Sequence, residues 1–78
     1  MTEFTFEYHN RETRLYYKKE NKLQEVAQDK LIFIVGTTKA AAINELYNSF
    51  NRNMNAIYWD SYPKTKDISA KLTLEIKD

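Results

Sequence analysis

The chain has 78 residues, twelve basic and eleven acidic side chains for a net charge of +1, and no cysteine. That length makes residues 1–78 a single domain that buries only about 60–65% of its unfolded surface. Disulfides, thiolate metal sites and thiol catalysis are excluded, and so near-neutral a charge argues against a protein dominated by phosphate contacts.

Lysine outnumbers arginine nine to three and there are seven asparagines, a composition typical of AT-rich coding in phages, mobile elements and low-GC bacteria. The start, Met-Thr-Glu, lacks a basic segment followed by an apolar run, so no signal peptide is expected. The longest apolar run, residues 31–35, is far short of the roughly 20 residues that span a bilayer. A cytoplasmic protein without a membrane partner is the expectation. The aromatic fraction of 14% favours a β-rich core, because aromatics bury large areas and fit pleated surfaces.

Residues 2–8 alternate, with Phe4, Phe6 and Tyr8 on one face and Glu3, Thr5 and Glu7 on the other, which predicts a half-buried strand. His9-Asn10-Arg11-Glu12 reads as a turn. Residues 13–19 alternate again, Leu15 and Tyr17 inward and Arg14, Tyr16 and Lys18 outward, completing a hairpin. After the turn Glu20-Asn21-Lys22, residues 23–27 fit either a short strand or one helical turn. Residues 31–35, apolar on both faces, predict a central strand ended by Gly36.

Thr37 or Thr38 can cap a following helix through its hydroxyl. Ala40, Ile43, Leu46, Tyr47 and Phe50 recur at helical spacing, and Asn51 and Asn53 predict its end. Residues 55–60 read as a strand with Ile57 and Trp59 inward and Tyr58 outward. Residues 61–69, with Pro63 and two lysines, read as a loop. Residues 71–77 predict a strand with Leu72, Leu74 and Ile76 inward.

The expected fold is therefore α+β: a curved, mostly antiparallel sheet of five or six strands packed on one helix, in the order β-β-(β)-β-α-β-β. Such a sheet is roughly 24–29 Å wide, whereas one helix is about 10–12 Å across. A strongly bent sheet plus an interaction surface follows, and a homodimer is one way to cover it.

Gly36-Thr37-Thr38-Lys39 joins a predicted strand to a helix, but a phosphate-cradling loop needs a second glycine and the chain has one. It reads as a plain helix start. Metal ligands are too few for zinc, with one histidine and no cysteine. Asp29, Asp60 and Asp67 do not have calcium-loop spacing, and neither a metal nor another cofactor is expected.

Three functional readings remain. The first is a non-enzymatic protein-binding module, an adaptor or inhibitor of a larger protein. Its anchors would be Tyr58, Trp59 and Tyr62 at a strand end and loop, because Trp, Tyr and Arg dominate interface energetics, with Asn48 and Arg52 of the asparagine-rich helix face as further polar contacts. The second is a single-stranded nucleic-acid binder using the basic hairpin of Arg11, Arg14, Tyr16, Lys18, Lys19 and Lys22, where cations flank stacking aromatics. The third is a small metal-independent ribonuclease built from His9, Glu12, Arg14, Tyr16 and Lys18.

Overall fold

A computed structural model describes residues 2–63 and 67–77. Its elements run β1 (Thr2–His9), β2 (Glu12–Lys19), β3 (Lys22–Glu25), a 3₁₀ turn (Gln28–Lys30), α1 (Leu31–Val35), α2 (Thr37–Ser61) and β4 (Ser69–Ile76). The four strands form one antiparallel sheet in the order β3-β2-β1-β4. The α+β class with one long helix is as expected, but among the described residues there are four strands rather than five or six, and the short helix α1 precedes α2.

Two-residue turns join β1 to β2 and β2 to β3. Asn10 and Arg11 (φ 49° and 69°) and Glu20 and Asn21 (φ 53° and 64°) are all left-handed, the arrangement of type I′ hairpin turns, whose twist matches that of the flanking strands. The hairpin register places Phe4 opposite Tyr17 and Phe6 opposite Leu15. On the other side of β1, Phe4 faces Leu74 and Phe6 faces Leu72. Phe4, Phe6, Tyr8, Leu15, Leu74 and Ile76 thus share the inner face, and the alternation foreseen for the first, second and last strands holds.

Helix α2 packs along that inner face. Ala40, Ile43, Met54 and Tyr58 are buried, and Tyr47 and Phe50 close over Phe6 with ring centroids 5.8 and 5.9 Å away. Phe4, Phe6 and Tyr8 are fully buried beneath it. Each such ring removes about 150–250 Å² from water, roughly 4–6 kcal/mol of transfer free energy before entropy is counted.

Residues 31–35 are not a central strand. They form α1, in which only Leu31 is buried while Ile32 and Phe33 are exposed. A short apolar run has no period that separates strand from helix. Here the preceding 3₁₀ turn already sets the chain in helical φ/ψ, and Lys30 and Leu31 carry it onward. Gly36, at φ 84° and ψ 171°, then redirects the chain into α2 and occupies its N-cap position. No threonine side chain caps the helix, so neither Thr37 nor Thr38 has the foreseen role.

Residues 55–60 are not a strand either. The helix passes Asn51 and Asn53 and ends at Ser61. The i+4 and i+3 spacing of Ile43, Tyr47, Phe50, Met54 and Tyr58 keeps one apolar stripe in phase, and this burial outweighs the weak helix propensity of asparagine. The expected orientations reverse as a result: Tyr58 is buried, while Ile57 and Trp59 are exposed. Lys64 and Lys66, placed in the loop before the last strand, lie outside the described residues.

The sheet spans three strand spacings, about 14 Å, so one helix covers most of its inner face and the anticipated width mismatch disappears. The outer face carries no helix among the described residues. At 25 residues α2 has the length of a membrane span, but it carries Lys39, Glu45, Arg52 and Asp60. No helix is long and apolar enough to cross a membrane among the described residues.

Candidate functional site

The length of α2 creates the most exposed aromatic cluster. Twenty-five residues at 1.5 Å each extend about 37 Å, whereas eight-residue strands extend about 27 Å. At one end Lys39 Nζ donates to the Lys77 carbonyl at 3.1 Å, level with the end of β4. Farther along, the Tyr8 hydroxyl donates to Asn55 Oδ1 at 2.9 Å. The last turns of α2 therefore overhang the sheet, beside the β1–β2 turn.

Tyr58, Trp59 and Tyr62 gather on this overhang. Tyr58 and Trp59 meet edge-on at 5.1 Å and 90°, Trp59 and Tyr62 at 5.5 Å, and Tyr58 and Tyr62 at 6.0 Å. Arg11 reaches over from the hairpin turn, its guanidinium carbon 5.7 Å from both the Tyr58 and Trp59 ring centroids. Tyr58 is only 7% exposed and forms the seat, whereas Trp59 and Tyr62 are 55% and 51% exposed.

Asn48 and Arg52 precede Trp59 and Tyr62 at spacings of four, seven and three residues, which is one helical stripe. Asn48 Oδ1 accepts a 3.2 Å hydrogen bond from Gln28, which also donates to Asn44, and Arg52 is exposed. Asn48, Arg52 and Trp59 thus share the exposed side of α2 with Tyr62 just past its end, while Tyr58 lies on the buried stripe. The sequence placed Arg11 only in the basic cluster. Its signal was a two-residue hairpin turn filled by a bulky cation instead of glycine.

The basic cluster is dispersed. Arg14, Tyr16 and Lys18 sit on the outer sheet face, Lys19 and Lys22 pair at the β2–β3 end, and Arg11 lies at the opposite end of β2. Tyr17 points inward, its hydroxyl donating to Gln24. On the outer face Arg14 lies 3.2 Å from Glu12 and 4.0 Å from Glu25, and Lys71 lies 3.7 Å from Glu7. A hydrogen bond that the guanidinium donates to the Tyr16 hydroxyl oxygen, then the charges of Glu12 and Glu25, push Arg14 above its ordinary value. Cations compensated in this way offer phosphate little.

His9, Glu12, Arg14 and Tyr16 line a shallow open depression of about 260 Å³ with Glu7; Lys18 is not among its lining residues. His9 Nδ1 lies 3.1 Å from Ser69 Oγ. The grouping foreseen from sequence is therefore largely real in space. Its imidazole is solvent-exposed, engaged with a serine rather than a carboxylate, and no enclosing wall excludes water from it. Among the described residues no group of three or more His, Asp or Glu side chains could hold a metal ion.

The chain matches no family model, and comparisons with curated proteins and with solved structures return no similar protein.

Proposed function

We propose that this chain is a small non-enzymatic protein-binding module, an adaptor or inhibitor of a larger protein. It would engage its partner through Trp59, Tyr62 and Arg11 at the overhanging end of α2, with Arg52 and Asn48 extending the contact along the helix. The observation that carries the reading is the stacked Arg11–Tyr58–Trp59–Tyr62 cluster, half exposed yet seated on a buried ring.

Three physical points support it. Tryptophan, tyrosine and arginine are the residue types that anchor interfaces. Aromatic side chains lose little conformational entropy on binding, because two χ angles fix them, and mutual stacking fixes much of that beforehand. Trp59 and Tyr62 also face solvent, so a partner can close on them without displacing the buried Tyr58.

The test is affinity capture from a lysate of the source or host, repeated with nuclease. A stoichiometric protein band that survives nuclease is expected. Trp59→Ala should weaken its capture by about 30-fold or more, the effect of losing an anchor of roughly 2 kcal/mol. Arg14→Glu with Lys18→Glu on the outer face should leave capture unchanged. A band that vanishes with nuclease and with the charge reversals, but survives Trp59→Ala, would transfer the function to nucleic acid.

A further inference from the structure

We infer that two copies of this chain pair antiparallel through β4, about a two-fold axis at Thr73, to form one continuous eight-stranded sheet. β4 is an edge: its eight residues pair with β1 on one side, and no described strand pairs with the other. Such an edge presents a row of backbone donors and acceptors to any matching strand. The opposite edge, β3, has only four residues.

The sequence of β4 is complementary to its own reverse. Centred on Thr73, Lys71 of each copy faces Glu75 of the other on the outer face. On the inner face Leu72 faces Leu74, and the small Ala70 faces the large Ile76. Neighbouring registers lose this match. Centring on Leu74 sets Lys71 opposite Lys77, and centring on Leu72 leaves Lys71 opposite Thr73. A slip by a single residue would place the inner face of one copy against the outer face of the other.

Glu75 gives the strand a reason to recruit a cation. Within its own chain it lies directly opposite Glu3, and like charges facing across a ladder are destabilising. Among the described residues no cation lies within ion-pair distance of Glu75. Lys71 of a second copy would supply one.

The apolar surface beside this edge fits the same occupant. Leu72, Leu46 and Ile57 are 39%, 45% and 49% exposed. Tyr47 and Asn51 bond to Thr13 of β2, which leaves Leu46 and Ile57 on the opposite, β4-side flank of α2. Tyr47 packs on Phe6, whose β4 partner is Leu72, so Leu46 and Leu72 stand at the same level, next to the axis. In the paired sheet the two β1 strands, with α2 above each, would lie three spacings or about 14 Å apart. Helices in direct contact lie 8–10 Å apart, and the extra width is the space that Leu46 and Leu72 of both copies would fill.

The absence of cysteine makes the register measurable. Thr73→Cys should form a disulfide-linked dimer on mild oxidation, because residues directly opposite fall within the Cα separation that a disulfide allows. Lys71→Cys mixed with Glu75→Cys should give the mixed dimer, while each alone should not cross-link, its counterpart lying about 13 Å along the strand. By sedimentation equilibrium Lys71→Glu should weaken the dimer about tenfold or more, and Lys71→Glu with Glu75→Lys should recover it. Circular dichroism on each variant separates loss of pairing from loss of fold. A wild-type chain that stays monomeric at high micromolar concentration overturns the inference. So does Thr73→Cys cross-linking no faster than Lys71→Cys, or efficient dimer capture through Leu23→Cys on β3.

Discussion

Arg11 occupies a left-handed backbone position, φ 69°, at the turn site where Asn-Gly would be the preferred pair. A bulky side chain held there costs conformational energy, and such positions tend to persist where the side chain has work to do. In this chain that work is the contact with Tyr58 and Trp59. Arg11→Gly should therefore separate stability from function. The denaturation midpoint should hold or rise, by about 0.5–1 kcal/mol of turn relief offset by about the same from the lost cation–π contact. Partner capture should fall with it. Urea titration beside a capture assay reads both, and a variant that loses stability but keeps its partner would place Arg11 in the fold rather than in the interface. Reading Trp59 as a core residue failed for a related reason. Its type suggests burial, but in a helix it falls on the side away from the stripe of Ile43, Tyr47, Phe50, Met54 and Tyr58, and only the helical phase reports that.

Among the elements, Gly36 decides the most with the least. A Cβ added there would meet nothing within 4 Å, so space is not what requires glycine. The dihedral pair φ 84°, ψ 171° lies in a region essentially restricted to glycine, and it turns α1 into α2. Gly36→Ala should cost about 1–3 kcal/mol by thermal or urea unfolding despite the open surroundings. A D-alanine placed there by chemical synthesis should recover the loss, and an L-alanine variant with unchanged stability would contradict the argument. The legibility of each element followed its period. β1, β2 and β4 alternate strictly over seven or eight residues, and only a strand places every second residue in a core. Residues 31–35 have no period, so their apolar character spoke for burial and not for shape. Residues 55–60 carry Ile, Tyr and Trp, good strand formers, but Met54 and Tyr58 continue the stripe begun at Ile43. Following that phase across the asparagines would have found the whole of α2, and with it the side of the helix where the candidate site lies.

At the scale of the molecule, sequence pattern could place residues on faces but could not arrange the strands. β4 crosses back to pair with β1, beyond the hairpin that precedes it, and that choice creates both the long free edge and the mixed charges of the outer face. The ion pairs on that face are exposed and add little to stability, whereas the covered tyrosines contribute a response at the alkaline end. Burial raises Tyr8 above its ordinary value of 10.0, helped by Tyr58 and opposed by Arg11, and burial with the charge of Glu12 raises Tyr47. Both hydroxyls donate hydrogen bonds, Tyr8 to Asn55 and Tyr47 to the Thr13 carbonyl, which ionisation would abolish. With folded values above unfolded ones, the native state holds more protons than the unfolded chain above about pH 10, and stability must fall as pH rises there. Below that range both states carry the protons and the contribution is complete. Urea midpoints should therefore not vary with these two rings up to about pH 9.5 and should drop steadily above pH 10. Tyr8→Phe with Tyr47→Phe should lower the plateau by about 1–3 kcal/mol through the two lost hydrogen bonds and flatten the alkaline fall. Every other group is common to both proteins, so the difference between the two curves belongs to the two rings. An equally steep fall in the double variant would show that the alkaline limit lies in the surface charges instead of beneath α2.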